Sequence, residues 1–465
     1  MPQSVLAFGA RIAGRSGSTR SRWLGRSVAA GWLVASSLAV LLPTSAFGGS
    51  EDAEWLGSSP TTADEFGGAV GVSSAAAGTV AVVGASLEDD APLVNNGAVY
   101  VFRNDGMNWA LEQRLTPAGA EANDEFGGAV AVEGDVMVVG ADLDDTVEVD
   151  SGSAYVFRYN GLTWDEEQTL AAFSGATGDQ FGFSVSVSGD LIAVGAVRDD
   201  VSAVDSGSTY VFRDSGMGWI QEQRLLPDDP AASDEFGGAV AVSGTTVVVG
   251  ADLDDALGTD SGSAYVFIYT GSPSTPWLQE QKLTASDGAA GDLFGFSVAI
   301  SGDTIIVGAH KKDVDGKVDA GKAYVYRFNG LAWVEEAKLT ESTPNSENQF
   351  GVAVAISGNR AVIGADDDAE ITGGFAYLFR RTGSTWAEEE VFAGSDIPTG
   401  VGPPHDAFGN SVSITSDSAV VGAPTHVHSV ISSGSAYVFS VPEPSAALVA
   451  ATALLTLAAA RRRSA

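Results

Sequence analysis

Cysteine is absent from the 465-residue chain, which excludes disulfide frameworks, thiolate metal centres and cysteine nucleophiles. Basic residues are scarce: 24 Lys and Arg face 60 Asp and Glu, for a formal net charge of −36. Such a surface repels nucleic-acid backbones and anionic lipid, so neither is an expected partner. No window shows a convincing helical period. No Gly-x-Ser-x-Gly elbow, His-Glu-x-x-His helix or phosphate loop occurs. Apolar residues are plentiful at 45%, which disfavours disorder. Glycine occupies 57 positions without a three-residue period, a sign of many tight turns rather than collagen. At this length several domains or a repeat array are expected.

The two ends differ from the middle. Residues 1–50 carry no acid and five arginines, Arg11, Arg15, Arg20, Arg22 and Arg26. The apolar run 28–42 (VAAGWLVASSLAVLL) follows, then Pro43 and the small residues Thr44, Ser45 and Ala46. A basic start, a short apolar middle and a small-residue exit describe a secretory signal peptide, here residues 1–48. At the other end Pro442-Glu443-Pro444 precedes the apolar stretch 445–460 (SAALVAATALLTLAAA) and Arg461-Arg462-Arg463. As a helix that stretch rises about 24 Å, slightly short of a hydrocarbon core of about 30 Å. The triple arginine favours the cytoplasmic side and leaves the body of the chain outside. Residues 441–465 thus resemble the PEP-CTERM sorting signal of Gram-negative bacteria. That resemblance implies transient anchoring in the inner membrane, cleavage by an exosortase, and release to the cell surface or extracellular matrix. These segments hold eight of the basic residues and one of the acids, so the middle is more acidic than the whole.

The middle repeats itself. Phe-Gly recurs at Phe66, Phe126, Phe181, Phe236, Phe294, Phe350 and Phe408, with spacings of 60, 55, 55, 58, 56 and 58 residues. A period of this size indicates a solenoid or a propeller. Each unit breaks into four short runs rich in Val, Ala and aromatics, separated by turn residues, and these read as strands. In the second unit they begin near Phe126, Val136, Ala154 and Trp164. Four strands per unit, repeated radially, make a β-propeller blade. Small residues after each Phe-Gly place the first strand at the central channel. The charged alternation of WDEEQTL (164–170) places the fourth at the wet rim, where acids such as Glu166 and Glu167 read as a solvated edge. The seventh unit lacks a fourth strand, while residues 51–66 align without gaps on 111–126. A strand near Trp55 should therefore complete the last blade and close a seven-bladed, all-β ring over residues 51–440.

These units resemble FG-GAP repeats, the blade unit of integrin α-subunit propellers and of many bacterial surface proteins. Phe-Gly at each start and Gly-Ala after each second strand carry the likeness, as in Gly422-Ala423-Pro424 of the last copy. The resemblance implies a non-catalytic platform for binding and adhesion. Integrin-type blades often hold calcium between the first two strands, but here that connection is a tight turn such as Glu133-Gly134-Asp135, too short to wrap six to eight oxygens.

The acids gather elsewhere. The second-to-third loops carry sets such as Asp142, Asp144, Asp145, Glu148 and Asp150, and an aspartate stands two before six of the seven phenylalanines. In a meander these loops share one face of the disc, which should be strongly acidic. Asp313, Asp315 and Asp319 with Gly316 have the alternation of a calcium loop but lack its terminal glutamate. Aspartates in such loops also bond their own backbone, and the aspartate before Phe-Gly reads as a structural brace. His426-x-His428 with His405-Asp406 supplies a possible transition-metal set at the seventh blade. The expectation is a monomeric, exported binding protein without catalytic residues or a required cofactor, calcium being the candidate ion. Its partner would be an extracellular polysaccharide or surface protein. A carbohydrate-active enzyme and a purely structural matrix component are the alternatives.

Overall fold

The computed structural model describes residues 51–57, 63–75, 77–366, 373–397, 406–427 and 433–441. The expected signal peptide, Pro442-Glu443-Pro444 and the apolar segment after it, His405 and His428 lie outside the described residues. Among the described residues no helix is long and apolar enough to cross a membrane. Those residues form seven four-stranded antiparallel sheets, six of them simple meanders. In blade two the strands run Ala129–Glu133, Val136–Ala141, Ser153–Tyr159 and Trp164–Leu170 from the axis to the rim.

Blade seven is built from both parts of the chain. Ser411–Ile414, Ser418–Ala423 and Ser435–Ser440 are completed by Glu51–Trp55, which pairs antiparallel with the third strand. Trp55 stands opposite Ala436, the register that Leu115 holds opposite Val99, and not the register of Trp109. Its ring stacks on Phe102 of blade one at 4.0 Å, so the closing strand is pinned into the next interface.

Each sheet is apolar on both faces in its middle strands, as in AYVF (154–157), because each face meets a neighbouring blade. Seven hydrophobic clusters result, one for each pair of neighbours. That between blades one and two joins Val80, Val82 and Val101 to Phe126, Val139 and Phe157. The cluster between blades seven and one joins Trp55, Val420 and Val438 to Phe66, Val83 and Tyr100.

The closest approach is made by backbone. A methyl group on Gly140 would lie 2.0 Å from the Gly182 carbonyl oxygen of the next blade. The same contact recurs from Gly84 to Gly127, Gly195 to Gly237, Gly250 to Gly295, Gly308 to Gly351 and Gly364 to Gly409, and Gly422 to Gly67 closes the circle. Each pair joins the glycine of one blade's Gly-Ala to the glycine of the next blade's Phe-Gly.

Polar locks fix the rim. The Gln113 side chain accepts the Trp164 N–H at 2.9 Å and donates to the Trp164 carbonyl at 3.0 Å. Gln168 with Trp219, Gln223 with Trp277 and Gln281 with Trp333 repeat the pair. Trp219 also donates through Nε1 to Glu167 at 3.4 Å, and Arg158 donates to that carboxylate at 2.9 Å. The rim acids are thus joints between blades as well as solvated groups.

Gly140→Ala should therefore destabilise the fold by about 3 kcal/mol, the upper range for overpacking. Gly134→Ala, in an open left-handed turn, should cost about 1 kcal/mol. Denaturant midpoints of the two variants test this, and equal costs would contradict the contact.

Candidate functional site

The loops after each second and fourth strand emerge together on one face, and the turns of two or three residues emerge on the other. Between the mouths the bore is lined by first-strand aliphatic side chains, among them Val72, Val132, Val187, Val242, Ile300 and Ile414. The turn-side mouth carries hydroxyls, including Ser73, Ser188, Ser243 and Ser301. All four accept an N–H from the next blade's turn: Gly134 to Ser73 at 3.0 Å, Gly302 to Ser243 and Gly358 to Ser301 at 3.1 Å, and Gly244 to Ser188 at 3.5 Å.

The loop-side mouth is braced from within. The aspartates two before phenylalanine are buried. Asp124, Asp179, Asp234 and Asp292 each accept the N–H of the residue three before, at 2.6–2.7 Å. A second brace joins the third-strand tyrosine to a loop carboxylate. Tyr100 donates to Glu88 at 2.8 Å, Tyr210 to Asp199 at 2.8 Å, Tyr265 to Asp254 at 2.8 Å, and Tyr155 to Asp144. Burial and the facing carboxylate push Tyr155 and Tyr265 well above the ordinary phenol value, so both remain donors.

The residue between each bracing aspartate or asparagine and its phenylalanine adopts a left-handed backbone in all seven blades, with φ of 50–56° at Glu65, Glu125, Gln180, Glu235, Leu293, Gln349 and Ala407. Non-glycine residues rarely take this conformation, and the braces on either side hold it. Glu65, Glu125 and Glu235 join Asp142 and Asp252, the residues after Gly-Ala, in lining a cavity of about 510 Å³ at the channel mouth. Phe183 and Phe296 line the same cavity and are 44% and 40% exposed. The mouth thus sets carboxylates beside accessible aromatic rings. Burial, with Asp142 and Glu65 nearby, pushes Glu125 up to about 7. Burial, with Glu235 and Asp260, pushes Asp252 up to about 7. Burial also raises Asp142 and Glu235, against the partial relief of the Arg198 charge.

The expected metal residues fall into two groups. Asp313 accepts the Asp319 N–H at 3.1 Å, and Asp319 lies 3.9 Å from the Lys311 ammonium. Asp89, Asp145, Asp200 and Asp255 accept an N–H at the same place in their own loops, so Asp313 is the fifth of a series of loop braces. Asp315 has a left-handed backbone, φ 52°. Asp406 and His426 do meet, at 2.9 Å. His310 is buried against Phe296, ring centroids 4.1 Å apart, and burial and Lys311 push it down to about 4.

The FG-GAP repeat model matches seven stretches, residues 51–102, 109–157, 164–212, 219–267, 277–326, 333–379 and 387–439. The chain belongs to the FG-GAP repeat family. Each match runs from an outer strand into the third strand of the following blade, so the family unit straddles two sheets. The two motifs that name FG-GAP repeats are, in this chain, the two halves of the inter-blade glycine contact. Asp142 and Asp252 belong to the loop acids expected on this face, whereas Glu65, Glu125, Glu235, Phe183 and Phe296 were not singled out by sequence reasoning. Their signal was present as Asp-Glu-Phe (64–66, 124–126, 234–236) and Phe-Gly-Phe (181–183, 294–296).

Glu125 and Asp252 hold their protons more tightly folded than unfolded, where their ordinary values are 4.5 and 3.8. Their contribution is complete below those values and is lost as pH rises through about 7. The melting temperature should fall between pH 5 and pH 8, and Glu125→Gln with Asp252→Asn should remove part of that fall and stabilise the protein at the upper pH. Superimposable pH profiles for the two proteins would contradict this.

Proposed function

We propose that this FG-GAP propeller is an exported, non-catalytic binding protein of the cell surface or extracellular matrix, whose loop-side channel mouth takes the end of a neutral or amino-sugar polysaccharide. The carrying observation is the pairing of five carboxylates with two accessible phenylalanines in one braced cavity. Pyranose rings offer apolar C–H faces to aromatic rings and hydroxyls or ammonium groups to carboxylates. The acidic mouth disfavours anionic polymers.

Family membership supports an extracellular platform of the adhesion kind. Export and sorting rest on the arginine-rich leader and on Pro442-Glu443-Pro444 with its apolar stretch and terminal arginines. An exosortase and the inner membrane are then transient partners. The same acid recurs at equivalent positions in several blades, which suits recognition better than a specialised acid–base pair. Calcium is the cation best suited to bridge such carboxylates to sugar hydroxyls.

A glycan array, run with and without calcium, tests the reading. Binding is expected to at least one neutral or amino-sugar glycan. Phe183→Ala and Phe296→Ala should each weaken it about tenfold, or about 1.4 kcal/mol. Absence of binding to every glycan, or binding indifferent to both substitutions, would contradict it.

A further inference from the structure

The third residue after Gly-Ala changes character around the ring. In blades one to four it is an acid, Glu88, Asp144, Asp199 or Asp254, that accepts the third-strand tyrosine's hydroxyl. In blade five it is Lys312, whose ammonium donates to Asp292 at 2.8 Å while Tyr324 turns to Asp287 at 2.8 Å. Blade seven follows blade five, with an imidazole in place of the ammonium. His426 Nδ1 meets Asp406 Oδ1 at 2.9 Å, and Tyr437 donates to Asp396 Oδ1 at 2.9 Å. The other ring nitrogen, Nε2, faces Asp396 Oδ2 at 3.1 Å.

A second position separates blade seven from the rest. The residue before the last of the outer strand is basic in four blades and reaches the acid beneath it: Arg114 to Glu88 at 2.8 Å, Arg224 to Asp199 at 3.5 Å, Lys282 to Asp254 at 2.8 Å and Lys338 to Asp287 at 2.8 Å. By the register of Trp55, its counterpart in blade seven is Glu54. A carboxylate thus stands where those blades carry a cation. Ligand atoms of Glu54, Asp396 and His426 lie within 4.8 Å of one another, the one such trio of His, Asp or Glu among the described residues.

Asp406 adds a third, independent mark. It is 1% exposed, and its Oδ2 has no hydrogen-bond partner among the described residues. Its counterparts Asp124, Asp179, Asp234 and Asp292 satisfy that oxygen with the N–H three residues before, and here that residue is Pro403, which has none. Among the described residues the carboxylate has only the imidazole as its side-chain partner.

We propose that blade seven binds one divalent transition-metal ion of the zinc class through His426 Nε2 and the carboxylates of Asp396 and Glu54, with Asp406 fixing the imidazole through Nδ1. A carboxylate on the distal nitrogen sets the tautomer and raises the ligand's basicity. One imidazole and two carboxylates supply nitrogen and oxygen donors of the kinds zinc takes and leave a fourth position for water. Glu54 comes from the closing strand, His426 from a loop of the last blade and Asp396 from the connection that leads into it from blade six, so the ion ties the closing strand to the last blade and its binding energy adds to folding. The site lies at the ring's seam and is independent of what the channel mouth binds.

The test uses the purified full-length chain with cobalt(II) and zinc as probes. One equivalent of cobalt should give the visible absorption of a tetrahedral N/O site. Zinc at about a hundredfold excess over Kd should raise the melting temperature by about 4 °C. Glu54→Lys restores the base of four other blades and His426→Lys copies blade five, so both variants should melt cooperatively. Each should lose the zinc-induced shift and bind cobalt at least tenfold more weakly. Absence of both cobalt absorption and a zinc shift in the unmodified protein would overturn the proposal and leave His426 as a proton-held clasp. Undiminished binding in both variants would overturn it by placing the ion elsewhere.

Discussion

The distance between consecutive blades is set by one backbone contact, the glycine of Gly-Ala lying against the carbonyl of the next Phe-Gly. Seven such contacts share nearly one geometry, from 1.8 to 2.0 Å for an added methyl carbon. No side chain fits there, so the sheets approach until their aliphatic faces interlock and seven narrow cores form in place of one large one. The phenylalanine beside that glycine fills the core, and its N–H joins the preceding loop. Phe126, for example, is fully buried, meets the Tyr155 ring edge-on and donates to the Asn96 carbonyl.

From this contact follows the division of labour between the two faces. Inner strands held so closely are joined by turns of two or three residues on one side, which leave a ring of hydroxyls that accept from neighbouring amides. The longer loops are sent to the other side. Those loops carry many acids but are ordered chiefly by buried carboxylates and tyrosine hydroxyls, groups expensive to bury unless paired. The result is a rigid frame that exposes carboxylates and aromatic rings, the combination a binding surface requires.

The architecture was legible because it is written seven times. Phe-Gly at regular spacing gave the blade count, and the gap-free match of residues 51–66 on 111–126 identified the closing strand now seen opposite Ala436. The tight first turns and the bracing role of the aspartates before phenylalanine were likewise readable from local chemistry. What escaped were pairings between repeats. Gln113 and Trp164 are 51 residues apart, and nothing local marks Gln113 as the partner of a backbone. The seventh-blade cluster was anticipated through Asp406 and His426, while Asp396 and Glu54 were not, since Glu54 lies hundreds of residues away in sequence. Its meaning emerges only when register places it among Arg114, Arg224, Lys282 and Lys338. Repetition reveals what is common to the blades, and departures acquire chemistry only after superposition on the ring.

The central claim is that two distant segments of the chain form one sheet and thereby close a ring of seven blades. The absence of native cysteine allows an unambiguous cross-link between Ala53 and Val438, which face each other across the closing pair. The Ala53→Cys, Val438→Cys protein should form an intramolecular disulfide under mild oxidation while keeping its native circular dichroism, because paired strand residues lie within the span that a disulfide needs. Two thiols that stay reduced in a folded protein would show that the ends do not meet, and the account of a closed ring would fail.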